Sequence, residues 1–252
     1  MQQFNDKQKS QEISYATPYH WFSEDSFSQN GRLYFGYLNF CVDAVKKIGT
    51  GSILDAGCGD GRFLGLIAEL AGNYSLFGAD YSQRAIDFAR LLVPKAQFSV
   101  SDLSKLQYEP NSFDAIFLIE TLEHIEPSNI PQILKELRRV LKNEGVLIVT
   151  VPSSLQGIPV YGSKHYQHFT TKYLTEIVSR YFRAYAIFGQ DRAGFHILKL
   201  LYRFIDNKFI DIKPLRKFYN KHVWTKYFNI CDKEKGRRLI AVLKKKLGTI
   251  DN

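Results

Sequence analysis

The sequence predicts a doubly wound α/β domain, and three observations carry that prediction. Short apolar runs alternate with amphipathic helical segments from Ser52 to Val151. Two of those runs, Phe113–Ile119 and Val146–Val151, are almost continuously apolar, as strands covered on both faces of a parallel sheet must be. A stretch of small residues, Gly57-Cys58-Gly59-Asp60-Gly61, follows the first strand and leads into a helix. Open α/β sheets receive their ligands at that place, beyond the carboxyl ends of the strands.

The elements follow in order. A polar N-terminal stretch runs into an aromatic cluster, Tyr15 to Phe22, read either as a wall of an acceptor pocket (Tyr19, His20, Trp21) or as a staple onto the core. Leu33–Ile48 has helical apolar spacing. Ser52–Asp55 is then a strand, Arg62–Leu70 a helix, Tyr74–Ala79 a strand, Gln83–Leu92 a helix stopped by Pro94, and Gln97–Val100 a strand. Phe113–Ile119 is the fourth strand, Ile130–Leu141 a helix and Val146–Val151 the fifth strand. This alternation implies a parallel sheet with right-handed crossovers. Thr170–Arg180 reads as a helix capped by Thr170 or Thr171, and Ala184–Phe188 and Leu239–Leu243 as two more strands. Between them Phe195–Ile230 carries eight Lys/Arg, two Asp and nine aromatics in helical patterns on both sides of Pro214, an expected insertion over the edge of the site.

The 252 residues suit one domain, with a lid and helix over 1–48, a ligand-binding core over 49–155 and a substrate side over 156–252. No apolar run is long enough to span a bilayer and no signal-peptide core is present, so a cytoplasmic location is expected. Cys41, Cys58 and Cys231 form neither a disulfide framework nor a cysteine zinc site. Charge divides unevenly: residues 1–150 hold 14 Lys/Arg against 18 Asp/Glu, whereas 151–252 hold 20 against 7. The second part, at net +13, suits an anionic partner or peripheral contact with a membrane surface, or serves as a solvated basic face.

The glycine spacing is G-x-G-x-G, shorter than the G-x-G-x-x-G that seats a pyrophosphate on a helix. With Asp55 two positions ahead, it suits a ligand with an amino group and no phosphate. Asp80 ends the second strand, placed either to accept from vicinal sugar hydroxyls or to stabilise the next helix through its dipole. Tyr81 either packs on a flat ring or lies at the surface. Asp102 follows the third strand, as an acceptor for an amino group or as a plain turn residue.

The segments ILDAGCGDGRF, GADYS, SVSDL, FDAIFLIETLEHI and LKNEGVLIVTVPS occur in this order. Through them the chain resembles the class I S-adenosylmethionine-dependent methyltransferases over about residues 50–155. The resemblance implies a Rossmann-like seven-stranded sheet, mostly parallel, with an antiparallel last strand near Leu239–Leu243. It implies S-adenosyl-L-methionine as cofactor, with Asp55, Gly57, Cys58, Gly59 and Gly61 around its methionine portion. By the same resemblance Asp80 holds the ribose, Tyr81 packs nearby, Asp102 and Leu103 hold the adenine, and Ile119 with Glu120 closes the pocket.

Methyl transfer from a sulfonium needs alignment above all, with a general base adding a smaller factor for a hydroxyl acceptor. Glu120 with Glu123 and His124, past the fourth strand, and the run Lys164–Thr170, past the fifth, are placed to face the methyl group. His165 and His168 are the candidate bases, or else residues that hold a loop. The E-x-x-E-H run is also similar to RNA 2′-O-methyltransferases in which two Glu and two His bind a divalent ion beside a terminal ribose. Ubiquinone-biosynthesis O-methyltransferases and many small-molecule members share the stretch, the latter with no known metal, so no metal is assigned.

The expected function is O-methylation of a small-molecule, glycan or lipid-linked hydroxyl, with an anionic acceptor fitting the basic half. Metal-assisted RNA ribose methylation and a non-catalytic cofactor-binding subunit are the alternatives. Nucleic acid ranks last among partners because no recognised RNA-binding module is present.

Overall fold

A computed structural model describes residues 5–21, 29–157, 160, 164–194, 200, 214–215, 218, 222 and 230–246. The expected insertion over 195–230 falls almost wholly outside the described residues. Helix α1 (Asp6–Ser14) precedes α2 (Gln29–Ile48), β1 (Thr50–Ala56), α3 (Arg62–Ala68), β2 (Asn73–Asp80), α4 (Gln83–Leu92) and β3 (Gln97–Val100). Then come β4 (Phe113–Ile119), α5 (Ile130–Val140), β5 (Leu141–Pro152), α6 (Thr171–Ser179), β6 (Phe182–Arg192), β7 (Ile230–Cys231) and β8 (Gly236–Lys245).

The strands form one sheet in the order β3-β2-β1-β4-β5-β8-β6-β7. Pairing is parallel from β3 to β5, and β8 runs antiparallel to both β5 and β6. The antiparallel last strand thus stands where the sequence suggests, longer at both ends. The two-residue β7 against β6 makes the sheet eight-stranded instead of seven-stranded.

Alternation along the strands builds two helical layers. Leu54, Ile116, Leu118, Leu147 and Val149 pack on one face with Leu134 and Leu137 of α5 and Leu174 and Val178 of α6. Their neighbours Ile53, Ala115, Phe117 and Ile148 point the other way, onto Leu38, Cys41 and Val45 of α2 and Phe63, Leu64 and Ile67 of α3. With both faces covered, β4 reads as a continuous apolar run.

The polar N-terminal stretch folds as α1, which apolar periodicity does not reveal. Its signal is a capping box: the Asn5 side chain accepts from the Gln8 backbone N–H while the Gln8 side chain accepts from the Asn5 N–H. Strand order reverses between β2-β1 and β1-β4. That switch point opens a crevice at the carboxyl ends of the strands.

Candidate functional site

A cavity of about 370 Å³ occupies this crevice, within the size range of small-molecule sites. Its floor is the turn after β1. Gly57, Gly59 and Gly61 have φ of 81°, 52° and 80°, the left-handed region that side chains with a Cβ resist. The N–H groups of Gly57 and Cys58 both donate to the Ala79 carbonyl, at 2.7 and 3.1 Å, which staples the turn onto β2. A Cβ on Gly57 would lie 2.5 Å from the Thr121 side chain. Gly57→Ala is therefore expected to lower stability by about 1–3 kcal/mol, read as a shift of the urea midpoint; an unshifted midpoint would contradict the strain.

Gly57, Cys58 and Gly59 line the cavity, with Asp55, Asp80, Tyr81, Asp102, Leu103, Ile119 and Glu120. Gly61 does not line it. A Cβ there would meet Ala89 at 3.0 Å and Phe98 at 3.2 Å, so the position seats α3 against α4 and β3 and is not a wall of the cavity.

Asp55 is 2% exposed, and its Oδ1 has no hydrogen-bond partner among the described residues. Burial, then the charge of Asp80, pushes its carboxyl upward. An unmatched acceptor of this kind calls for a cationic donor, and the ammonium of an amino-acid ligand is one. Asp80 accepts from Gly59 N–H and Ser82 N–H, both at 2.9 Å. Burial still raises it to about 6 against those bonds. Each oxygen keeps capacity for a further donor, which fits a pair of sugar hydroxyls. Asp102 is exposed, and its Oδ1 accepts from Ser104 N–H at 2.8 Å; it is a turn residue that also lines the cavity. The Tyr81 hydroxyl donates to Gln11 Oε1 at 3.0 Å, tying α1 to the rim. The turn, the orphaned carboxylate and Asp80 together fit S-adenosyl-L-methionine.

Opposite this floor, Glu120 has φ of 47°. Its Oε1 accepts from the Thr150 hydroxyl at 2.9 Å and its Oε2 pairs with the Arg238 guanidinium at 2.8 Å. Arg238 in turn lies 4.2 Å from the centre of the Tyr37 ring. A carboxylate held this way shapes the cavity wall with both of its oxygens engaged.

His165 and His168 do not line the cavity. They bond each other, Nδ1 to Nε2, at 2.9 Å, and burial pulls His165 down to about 4. Their loop is fixed by Tyr166 N–H donating to the Glu123 carbonyl at 2.7 Å. His124 does line the cavity, its Nδ1 3.3 Å from the Lys164 carbonyl, and burial lowers it to about 4. Glu123 is 1% exposed, with Oε2 unpartnered among the described residues. Burial, then the charge of Glu120, drives its carboxyl upward. Ligand atoms of Glu123, His124 and His165 lie within 4.8 Å of one another. Positive charge on Arg238, Lys7 and Lys164 acts on the same groups and opposes a further cation.

The remaining wall comes from the N-terminus. Tyr15, Tyr19 and His20 line the cavity, whereas Trp21 packs beside α3 near Gly65, so the aromatic cluster is both wall and staple. Lys7 donates to the His165 carbonyl and Lys164 to Ser14 Oγ, closing α1 onto the loop after β5. Asp60, fully buried, accepts from the His20 backbone N–H at 3.1 Å and faces His20 Nδ1 at 3.1 Å. Its carbonyl accepts from Trp21 Nε1–H at 2.9 Å. Sequence reasoning passes over Asp60 because its partners lie forty positions away.

A family model described as a methyltransferase domain matches residues 53–145. A probable S-adenosylmethionine-dependent methyltransferase of Mycolicibacterium smegmatis is 29% identical over 107 residues, which is 42% of this chain and 40% of that protein. The chain thus spans about two fifths of the length of the curated relatives it matches. Among solved structures, a Pyrococcus horikoshii protein aligns with a TM-score of 0.60 at 20% identity, covering 90% of this chain and 98% of its own. A TehB-like S-adenosylmethionine-dependent methyltransferase of Corynebacterium glutamicum aligns with a TM-score of 0.53 at 18% identity, covering 86% and 97%. The matched methyltransferase domain over residues 53–145, the sheet order and the carboxylate-ringed turn liken the chain to the class I S-adenosylmethionine-dependent methyltransferases, whose cofactor is S-adenosyl-L-methionine.

Proposed function

We propose that this protein transfers a methyl group from S-adenosyl-L-methionine to the hydroxyl oxygen of a small-molecule, glycan or lipid-linked acceptor. The observation that carries the reading is the buried Asp55 Oδ1, unpartnered among the described residues, with Asp80 and the glycine turn, and polar side chains of Tyr15, Tyr19, His20 and Tyr166 on the facing walls. The first group matches the donors of an adenosyl amino acid. The second offers hydrogen bonds to an oxygen nucleophile. When bound, the cofactor would supply an electrophilic methyl group to the acceptor oxygen.

The residues of the chain do the positioning that such a displacement requires. Asp55 and the Gly57–Gly59 backbone anchor the amino-acid end, Asp80 the sugar, and Leu103 and Ile119 flank the base. The N-terminal segment covers the opening and limits water. Net +13 over residues 151–252 favours an anionic acceptor or one held at an anionic surface.

Calorimetry with S-adenosylhomocysteine tests the cofactor half: one molecule per chain is expected to bind, and no uptake by folded protein would end the reading. Transfer of labelled methyl from S-adenosylmethionine to a panel of phenols, catechols, glycosides and short RNAs tests the acceptor. Label entering RNA alone would overturn the small-molecule assignment.

A further inference from the structure

We propose that His20, oriented by Asp60, is the proton-accepting residue of the methyl-transfer site. The inference rests on the methyltransferase reading above and deepens it.

Two histidines line the cavity among the described residues, His20 and His124. What stands behind each ring differs. His124 Nδ1 meets the Lys164 carbonyl at 3.3 Å, a long contact to a neutral acceptor, and its surroundings hold the imidazole near 4. His20 Nδ1 meets a carboxylate at 3.1 Å, and that carboxylate, on Asp60, is fully buried while the His20 side chain is 25% exposed. With a carboxylate oxygen accepting at Nδ1, that nitrogen carries the ring hydrogen and Nε2 is left as the acceptor. The same carboxylate is placed to hold the Nδ1 hydrogen while Nε2 takes a proton.

Asp60 is held from several directions. It accepts from the His20 backbone N–H through Oδ2 and from its ring through Oδ1, and its carbonyl takes the Trp21 indole N–H. It sits in the cofactor turn, directly after Gly59, so the dyad is anchored to the structure that seats the cofactor. A Cβ on Gly59 would lie 3.6 Å from the Nδ1–Cε1 edge of the His20 ring. The imidazole therefore overhangs the floor on which the amino-acid end of the ligand rests. The Tyr19 ring, with its centroid 3.9 Å from that of His20, backs it on the other side.

In the reaction the acceptor O–H gives its proton to His20 Nε2 as oxygen bonds to the methyl carbon. The carbon–sulfur pair goes to sulfur, which becomes a neutral thioether. The positive charge of the sulfonium ends on the imidazolium, shared with Asp60. Among the described residues, charged and titratable groups that face His20 include Asp60 and Asp80 on the cofactor side, Tyr15 and Tyr19 on its own segment, and His124 across the cavity.

The test uses full-length protein labelled in its histidines and saturated with S-adenosylhomocysteine, whose binding is first established by calorimetry. Nitrogen–proton NMR is expected to show His20 as the Nδ1–H tautomer, and Asp60→Asn to lower its titration midpoint. With 4-nitrocatechol as probe acceptor, His20→Gln and Asp60→Asn are each expected to lower kcat by about 100-fold or more and to flatten the acidic limb of the pH profile. Affinity for S-adenosylhomocysteine should stay within about twofold, and imidazole should restore part of the rate to His20→Ala. An Nε2–H tautomer, a titration midpoint unmoved by Asp60→Asn, or undiminished turnover in His20→Gln overturns the proposal. If 4-nitrocatechol is not methylated by the unaltered protein, the tautomer and the midpoint decide alone. Absent S-adenosylhomocysteine binding strikes the methyltransferase reading itself, a result distinct from all of these.

Discussion

Arg238→Met is expected to destabilise the protein by about 3 kcal/mol, because it removes one partner of a buried ion pair and leaves the other. Arg238 and Glu120 are 13% and 18% exposed in their side chains and meet at 2.8 Å. The guanidinium also covers the Tyr37 ring and offsets the charge of the buried Glu123. Without it, two neighbouring carboxyls share a site with no cation between them, and Glu120 additionally holds a φ of 47°, itself a cost of order 1 kcal/mol. Urea unfolding measures the loss. The double variant Glu120→Gln, Arg238→Met should recover most of it, since removing both charges removes the desolvation cost as well. A single variant that loses under about 1 kcal/mol would show that solvent reaches the pair.

Asp80→Ala is expected to weaken S-adenosylhomocysteine binding by about 1.5–3 kcal/mol, the worth of a hydrogen bond to a charged group, or roughly 10- to 150-fold in Kd. Calorimetry at pH 7.5 measures it, and unchanged affinity would remove Asp80 from the site. The pH dependence follows from the same residue. Burial raises Asp80 from 3.8 to about 6 in the fold. Its neutral form therefore contributes stability that is fully present below the lower value and lost as pH rises through the upper one. The ionised form is the better acceptor for ligand hydroxyls. Affinity in the unaltered protein should accordingly fall as pH is lowered from 7 through 6, and that slope should be reduced in Asp80→Ala.

Much of the site is legible in the sequence because it depends on local spacing. Asp55 is the penultimate residue of β1, Asp80 the last of β2, and Asp102 follows the end of β3, and the carboxyl ends of these strands face the crevice. The glycines announce a left-handed turn whatever surrounds them. Gly61 shares the spacing but not the role, since its left-handed φ starts α3 and its contacts are with Ala89 and Phe98. The acceptor side is where local reasoning fails. His165 and His168 have the right chemistry for a base, but the chain turns them onto one another and away from the cavity. Glu120 has the right position, yet Thr150 and Arg238, 30 and 118 positions along the chain, occupy its oxygens.

The sequence by itself determined the order of strands and helices, the parallel core and the glycine turn at the floor of the cavity. Each of these follows from periodicity, caps and glycine conformations acting over a few residues. Only the tertiary structure decided which side chains face the cofactor from the other side. Those contacts join segments forty to more than a hundred positions apart: His20 to Asp60, Tyr37 to Arg238, Lys7 to His165. Side-chain pairings over such separations are set by how helices pack on a twisted sheet, and no short-range pattern in the chain encodes them.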